Sequence, residues 1–152
     1  TMLARLAEEQ SGTISQAAML MVDALVQERK LICCGNGASG ANALSFVSKL
    51  LNRFEHERPA LPALALAPDS ITLSALAQDN RLTESFSRPF LAYAQPGDVL
   101  VVLSASANAA NILSVIQAAH ERHAHARCQV GIFTVGFLST APAWITKNID
   151  VG

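Results

Sequence analysis

The chain has 152 residues, enough for one domain with a sizeable core and short for two. Hydrophobic residues make up 51% and charged residues 15%, and 11 Lys and Arg against 12 Asp and Glu leave a net charge of −1. That balance excludes a disordered charged tail and a nucleic-acid groove built on basic excess.

In chain order, Met2–Gln10 has a helical composition and carries Arg5, Glu8 and Glu9, which do not suit a secretion signal. Ser11-Gly12 is expected to interrupt it. A second helix is predicted over Ile14–Arg29, with Ile14, Ala18, Met21, Val22, Leu25 and Val26 at helical spacing. Leu31-Ile32-Cys33-Cys34 is a continuous apolar run, as expected of a strand covered on both faces. Three cysteines are an odd number, and neighbours rarely bond each other, so buried free thiols in a reducing cytoplasm are expected. Gly35-Asn36-Gly37-Ala38-Ser39-Gly40 follows, then a helix from about Ser39 to Phe54 with Leu44, Val47, Leu50 and Leu51 on one side.

The polar stretch Asn52–Arg58 ends at Pro59, and its Arg53 and Arg58 are expected to pair with Glu55 and Glu57. Leu61–Ala67 is a second strand candidate, although Pro62 suits only a strand start. Ile71–Ala77 reads as a short helix and Leu82–Ala94 as a further one, weakened by Pro89. Pro96-Gly97-Asp98 is a turn signal, Val99–Leu103 the clearest buried strand, and Ser104–Asn108 a loop of small residues. A helix over Ile112–Arg122 aligns Ile112, Val115, Ile116 and Ala119, and Val130–Val135 reads as another strand. The tail Gly136–Gly152, with Trp144 near Pro142, follows no clear period. No purely apolar run reaches the roughly 18 residues of a membrane span. Apolar strands alternating with helices indicate a parallel sheet with helices on both faces.

Ligands of open parallel sheets sit beyond the carboxyl ends of the strands. Two such ends stand out, Gly35–Gly40 and Ser104–Asn108. Each leads into a helix whose first N–H groups attract anions, and Ser39, Ser104 and Ser106 add neutral hydroxyls suited to a phosphate monoester. The plain alternative is a tight turn into a helix, with Ser104 and Ser106 as N-caps. Gly35-x-Gly37-x-x-Gly40 also matches the dinucleotide fingerprint, but the acid expected at the next strand end, roughly 20 residues on, is missing: Asp69 lies well beyond that spacing, and the nearer Glu55 and Glu57 fall in a polar loop. There is no Walker-type P-loop.

Cys33-Cys34-Gly35-Asn36-Gly37-Ala38-Ser39 resembles the first sugar-phosphate loop of SIS-domain proteins of the phosphoheptose isomerase family. Asn52-Arg53-Phe54-Glu55-x-Glu57-Arg58-Pro59-x-Leu61-Pro62-Ala63 is similar to the branch that associates with the bacterial DnaA replication initiator. Gly97-Asp98-Val99-Leu100 ahead of Ser104 also fits, and the likeness runs to about Ala119. It implies one α/β SIS domain over 1–152, with N-terminal helices to about residue 29. The implied architecture is a flavodoxin-like three-layer sandwich on a five-stranded parallel sheet, with an atypical or shortened C-terminal part. The resemblance also implies a homotetramer with sugar phosphates between subunits; the low charge fraction by itself favours only helices buried on more than one face, as in an oligomer.

The phosphosugar-binding residues it implies are Asn36, Gly37, Ala38, Ser39, Asp79, Ser104 and Ser106. Where isomerases of the family hold zinc with a His and a Glu one helical turn apart, this chain has Ser45 and Lys49, and an ammonium repels a dication. The other ligands, a proton-moving His among them, lie on a C-terminal helix that this chain is expected to lack. The second loop carries Ala105, Ala107 and Ala109 where the family has Thr, Gly and Ser. His120, His123, His125 and Cys128 read as a solvated helix end rather than a metal site. Asp79 and Glu84 are the carboxylates near the expected cleft, although Glu in a first helical turn needs no catalytic role.

These features lead to the expectation of a cytoplasmic, non-catalytic tetrameric scaffold without cofactor or metal. It would tether replication initiator proteins by avidity, bind sugar phosphate weakly if at all, and contact neither nucleic acid nor membrane. The alternatives are a sedoheptulose 7-phosphate isomerase and a sugar-phosphate sensor.

Overall fold

Leu31, Ile32, Cys33 and Cys34 are all at most 1% exposed, and Val99, Leu100, Val101 and Val102 at most 2%. Runs this apolar fit only where helices cover both faces of a sheet. The computed structural model, which describes residues 2–106, 108–126 and 129–130, shows that arrangement. Helix α1 (Met2–Val26) leads into strand β1 (Leu31–Gly35), helix α2 (Ala38–Leu51) and strand β2 (Ala63–Ala65). Helix α3 (Ser70–Gln78), a 3-10 turn (Leu82–Glu84) and helix α4 (Ser87–Tyr93) then cross to strand β3 (Val99–Leu103). Helix α5 (Ala110–Ala126) ends at strand β4 (Gln129–Val130).

The four strands placed among the described residues are parallel, in the order β2-β1-β3-β4. The α/β class and the parallel sheet are as expected; a fifth strand is not placed among the described residues. Only Val130 of the predicted strand Val130–Val135 is described, and Cys128, Trp144 and the rest of the tail lie outside the described residues.

Alternation along the strands builds two cores. Ile32, Cys34, Leu100 and Val102 pack with Phe86, Phe90, Ile112 and Val115 of the α4–α5 layer. Leu31, Cys33, Val99 and Val101 pack with Ala24, Ala43 and Val47 of α1 and α2. Cys33 and Cys34 therefore face opposite layers and stay free thiols.

Burial pushes both thiols from the ordinary 9.0 up to about 12. Between those values the folded chain keeps protons that the unfolded chain has released, so stability falls as pH rises above about 9. At about pH 8, iodoacetamide is expected to leave both unmodified until urea unfolds the chain, as read by peptide mass spectrometry. Alkylation of either in the native protein would contradict this burial.

Several element boundaries differ from expectation. Ser11-Gly12 does not interrupt α1, which is continuous. A mid-helix Gly costs only about 1 kcal/mol, and the Ser11 hydroxyl donates back to Glu8 O at 3.3 Å. Of the predicted stripe, Met21 and Leu25 pack on the core, whereas Ile14, Val22 and Val26 are exposed and Ala17 and Ala24 are buried instead. The second strand shrinks to three residues, because Pro62 has no N–H and Leu61 N turns to Leu50 O at 3.0 Å. The helix predicted over Leu82–Ala94 divides in two, and Pro89 lies in the first turn of α4, where N–H groups lack intrahelical partners.

The segment before β2 is held by Arg58, which donates to Lys49 O at 2.6 Å, Leu50 O at 2.9 Å and Pro59 O at 3.1 Å. The first two contacts satisfy carbonyls at the end of α2. Arg58 therefore does not form the predicted ion pair, whereas Arg53 meets Glu57 at 3.5 Å. Among the described residues no helix is long and apolar enough to cross a membrane.

Candidate functional site

The connection from β1 to α2 is built on close backbone contact. A Cβ on Gly35 would lie 2.6 Å from Leu103 O and 2.7 Å from the Ser39 carbonyl carbon, and one on Gly40 would lie 2.7 Å from Gly35 O. The first and last glycines of the fingerprint-like run thus let β1, β3 and α2 meet. Gly37, at φ +53°, has open space around it and is chosen for its backbone.

Gly37 is also the N-cap of α2, and no side chain caps that end. Ser39 N and Gly40 N fold back onto Asn36 O at 3.0 and 3.3 Å. Helix α3 differs: Asp69 accepts from Ile71 N and Thr72 N, both at 2.9 Å. Those bonds, Thr72 first, hold the Asp69 carboxyl below its usual range. The chain therefore seals one helix start and leaves the other without a side-chain cap.

That start opens on a cleft of about 710 Å³ at the carboxyl ends of β1 and β2. Leu44, Ala65, Leu66, Leu73, Leu82 and Phe86 form its apolar wall. Asn36, Thr83, Ser85 and Asn111 give it a polar edge. Asn36 and Asn111 exchange two amide hydrogen bonds, at 2.9 and 2.8 Å, and Asn111 also donates to Ser85 Oγ at 3.2 Å. The loop after β1 is thereby joined to the first turn of α5, and Gly35 pairs with Leu103 in the sheet. The two loops singled out in the sequence stand at neighbouring strand ends.

The predicted site residues divide. Asn36 and Gly37 line the cleft, and Ala38 and Ser39 open α2 beside them. Ser104 and Ser106 do not line it. The Ser104 hydroxyl donates to Ser106 O at 2.7 Å and accepts from Ser106 N at 3.2 Å, and Ser106 Oγ accepts from Asn108 N at 3.4 Å. Their hydroxyls shape a local turn. Asp79 closes the C-terminal end of α3, its N–H donating to Ala75 O and Ala77 O, and is not among the lining residues. Ser85, Thr83 and Asn111 belong to no motif that marks them in the sequence. The only available signal for Asn111 was a small polar side chain in the first turn after a strand-end loop.

Glu84 is held as a carboxylate. Arg81 donates to it twice at 2.8 Å and Arg88 once at 3.4 Å, and these contacts, Arg81 first, keep it below its usual range. A carboxylate so engaged is a poor proton acceptor. The described residues do not fit zinc either: Ser45 is neutral, Lys49 is a cation whose Nζ lies 5.2 Å from the Phe54 ring centroid, and no group of three His, Cys, Asp or Glu converges among them.

Comparisons with known proteins carry this geometry further. The family model for the SIS domain matches residues 1–126. The phosphoheptose isomerase of Chromohalobacter salexigens is 50% identical over 112 residues, which cover 74% of this chain and 57% of that protein. That of Azoarcus sp. is 46% identical over 118 residues, 78% of this chain and 60% of that one. The chain therefore spans less than two thirds of the length of these curated relatives. Among solved structures, a phosphoheptose isomerase from Francisella tularensis superposes with a TM-score of 0.70 at 34% identity, covering 88% of this chain and 75% of that one. Phosphoheptose isomerase GmhA from Neisseria gonorrhoeae gives 0.66 at 32% identity, with the same coverage. These relatives overturn the expected non-catalytic, initiator-tethering scaffold, because proteins up to 50% identical carry an enzyme's name. The isomerase alternative has the stronger support.

Proposed function

This chain belongs to the SIS-domain family, among phosphoheptose isomerases, and from that premise we propose that it binds a phosphorylated heptose in the cleft and serves its aldose–ketose isomerisation. The observation that carries the reading is the α2 N-terminus without a side-chain cap at the cleft. The helix dipole and the N–H groups of Gly37 and Ala38, ahead of the Ser39 and Gly40 N–H groups that turn to Asn36 O, suit a phosphate, while Asn36, Thr83, Ser85 and Asn111 suit the hydroxyls of a sugar chain. Expected zinc positions held by Ser45 and Lys49, and a Glu84 tied to two arginines, favour a second reading: a sensor that holds the sugar phosphate without turning it over.

Thermal unfolding and an aldose–ketose assay test both readings. Sedoheptulose 7-phosphate at 100 times its Kd is expected to stabilise the chain by about 2.7 kcal/mol, and unphosphorylated sedoheptulose far less. Turnover above the protein-free rate supports the isomerase. Stabilisation without turnover assigns the sensor, and neither effect at millimolar ligand overturns both.

A further inference from the structure

The reciprocal amide pair over the cleft has a structure that a chance polar contact lacks. Asn36 and Asn111 are 75 residues apart, yet each donates to the other, at 2.9 and 2.8 Å. An Asn amide offers two N–H donors and a carbonyl with two lone pairs. Asn111 spends one donor on Asn36 Oδ1 and the other on Ser85 Oγ at 3.2 Å, and its Oδ1 accepts from Asn36. Its amide plane is thus held from both sides. Asn36 spends one donor and one acceptor on Asn111, and it lines the cleft at the start of the α2 turn.

We propose that Asn111 is a positioning residue for ligand recognition. It fixes the rotamer and amide orientation of Asn36, so that the remaining N–H and lone pair of Asn36 meet a sugar hydroxyl without being ordered on binding. The gain is preorganisation, because a side chain already held loses less rotamer freedom when ligand arrives. Since Asn111 opens α5 and Asn36 follows β1, the pair also makes cleft geometry depend on the register between the two neighbouring strand-end loops.

The proposal rests on the sugar-phosphate reading of the cleft, and a double-mutant cycle separates the two. Binding of sedoheptulose 7-phosphate is measured by calorimetry for the full chain and for Asn36→Ala, Asn111→Ala and the double variant. Thermal melting without ligand checks each fold, and Asn111→Ser replaces Asn111→Ala if the latter does not fold. Asn111→Ala is expected to weaken binding roughly five- to twentyfold, Asn36→Ala by at least as much, and the double variant no more than Asn36→Ala alone. A merely structural role for Asn111 would lower the melting temperature and add its effect in the Asn36→Ala background. Multiplying losses, or unchanged affinity in the Asn111 variant, overturns the positioning role while the cleft reading stands. No binding by the unaltered chain overturns the cleft reading, and the positioning role with it.

Discussion

Gly35→Ala is expected to destabilise the fold by about 3 kcal/mol or more, at the upper end of overpacking penalties. The new methyl would lie 2.6 Å from Leu103 O, 2.7 Å from the Ser39 carbonyl carbon and 2.8 Å from Ser39 O. All are backbone atoms, so no flexible side chain can swing aside. Leu103 is paired with Gly35 in the sheet, and Ser39 is tied to Asn36 O in the first turn of α2. Relief requires the strand ends and the helix start to separate, which opens the cleft and weakens any ligand held there. Gly40→Ala acts on the same contact from the other side, 2.7 Å from Gly35 O.

Gly12→Ala is the control, with nothing within 4 Å of the added carbon in the middle of α1. It is expected to stabilise by about 0.5–1 kcal/mol, since Ala restricts the unfolded chain more than Gly does. Urea unfolding of the variants checks the ranking. Wild-type stability in Gly35→Ala would show that the elbow can spread and that packing does not dictate its glycines.

Asp98→Ala is expected to cost about 3 kcal/mol, the lower end of the range for removing one partner of a buried pair. Asp98 is 1% exposed at the foot of β3. One carboxylate oxygen accepts from Lys30 N at 3.0 Å, and the other accepts from Gln95 N at 2.8 Å and pairs with the Lys30 ammonium. Val99 N meanwhile donates to Lys30 O at 3.1 Å. The carboxylate therefore ties the starts of β1 and β3 to the turn between Gln95 and Asp98, where Gly97 sits at φ +90°. The Lys30 side chain keeps 22% of its surface, so water rescues part of the loss. Asp98→Asn, which keeps one acceptor oxygen, is expected to lose less. Urea midpoints at low and high salt decide the matter. The loss should vary little with salt, because a buried pair is poorly screened. A loss below about 1 kcal/mol would mean that water replaces the carboxylate.

The two loops were legible because their residue types answer to local demands. Gly35 and Gly40 are small where backbones touch, and Gly37 supplies a positive φ. The role of the serines was not legible. Ser104 and Ser106 have the right chemistry for phosphate, but a hydroxyl serves a ligand or its own turn equally well, and both also hydrogen-bond within their turn here. The position of Asp79 was not legible for a similar reason: a carboxylate near a cleft in sequence ends α3 in space and does not line this cleft. The role of Asn111 is not legible locally, because its meaning depends on Asn36 and no local pattern records a partner 75 residues away.

Residue order alone determined the layered architecture of this protein: apolar runs at Leu31–Cys34 and Val99–Leu103 can be satisfied only inside a parallel sheet with helices on both sides. Hydrophobic burial needs no long-range information to declare itself. The tertiary structure decided which polar groups face the cleft and which spend themselves on turns, caps and ion pairs. Hydrogen bonds are directional and short, so their allocation exists only once the loops have been brought together.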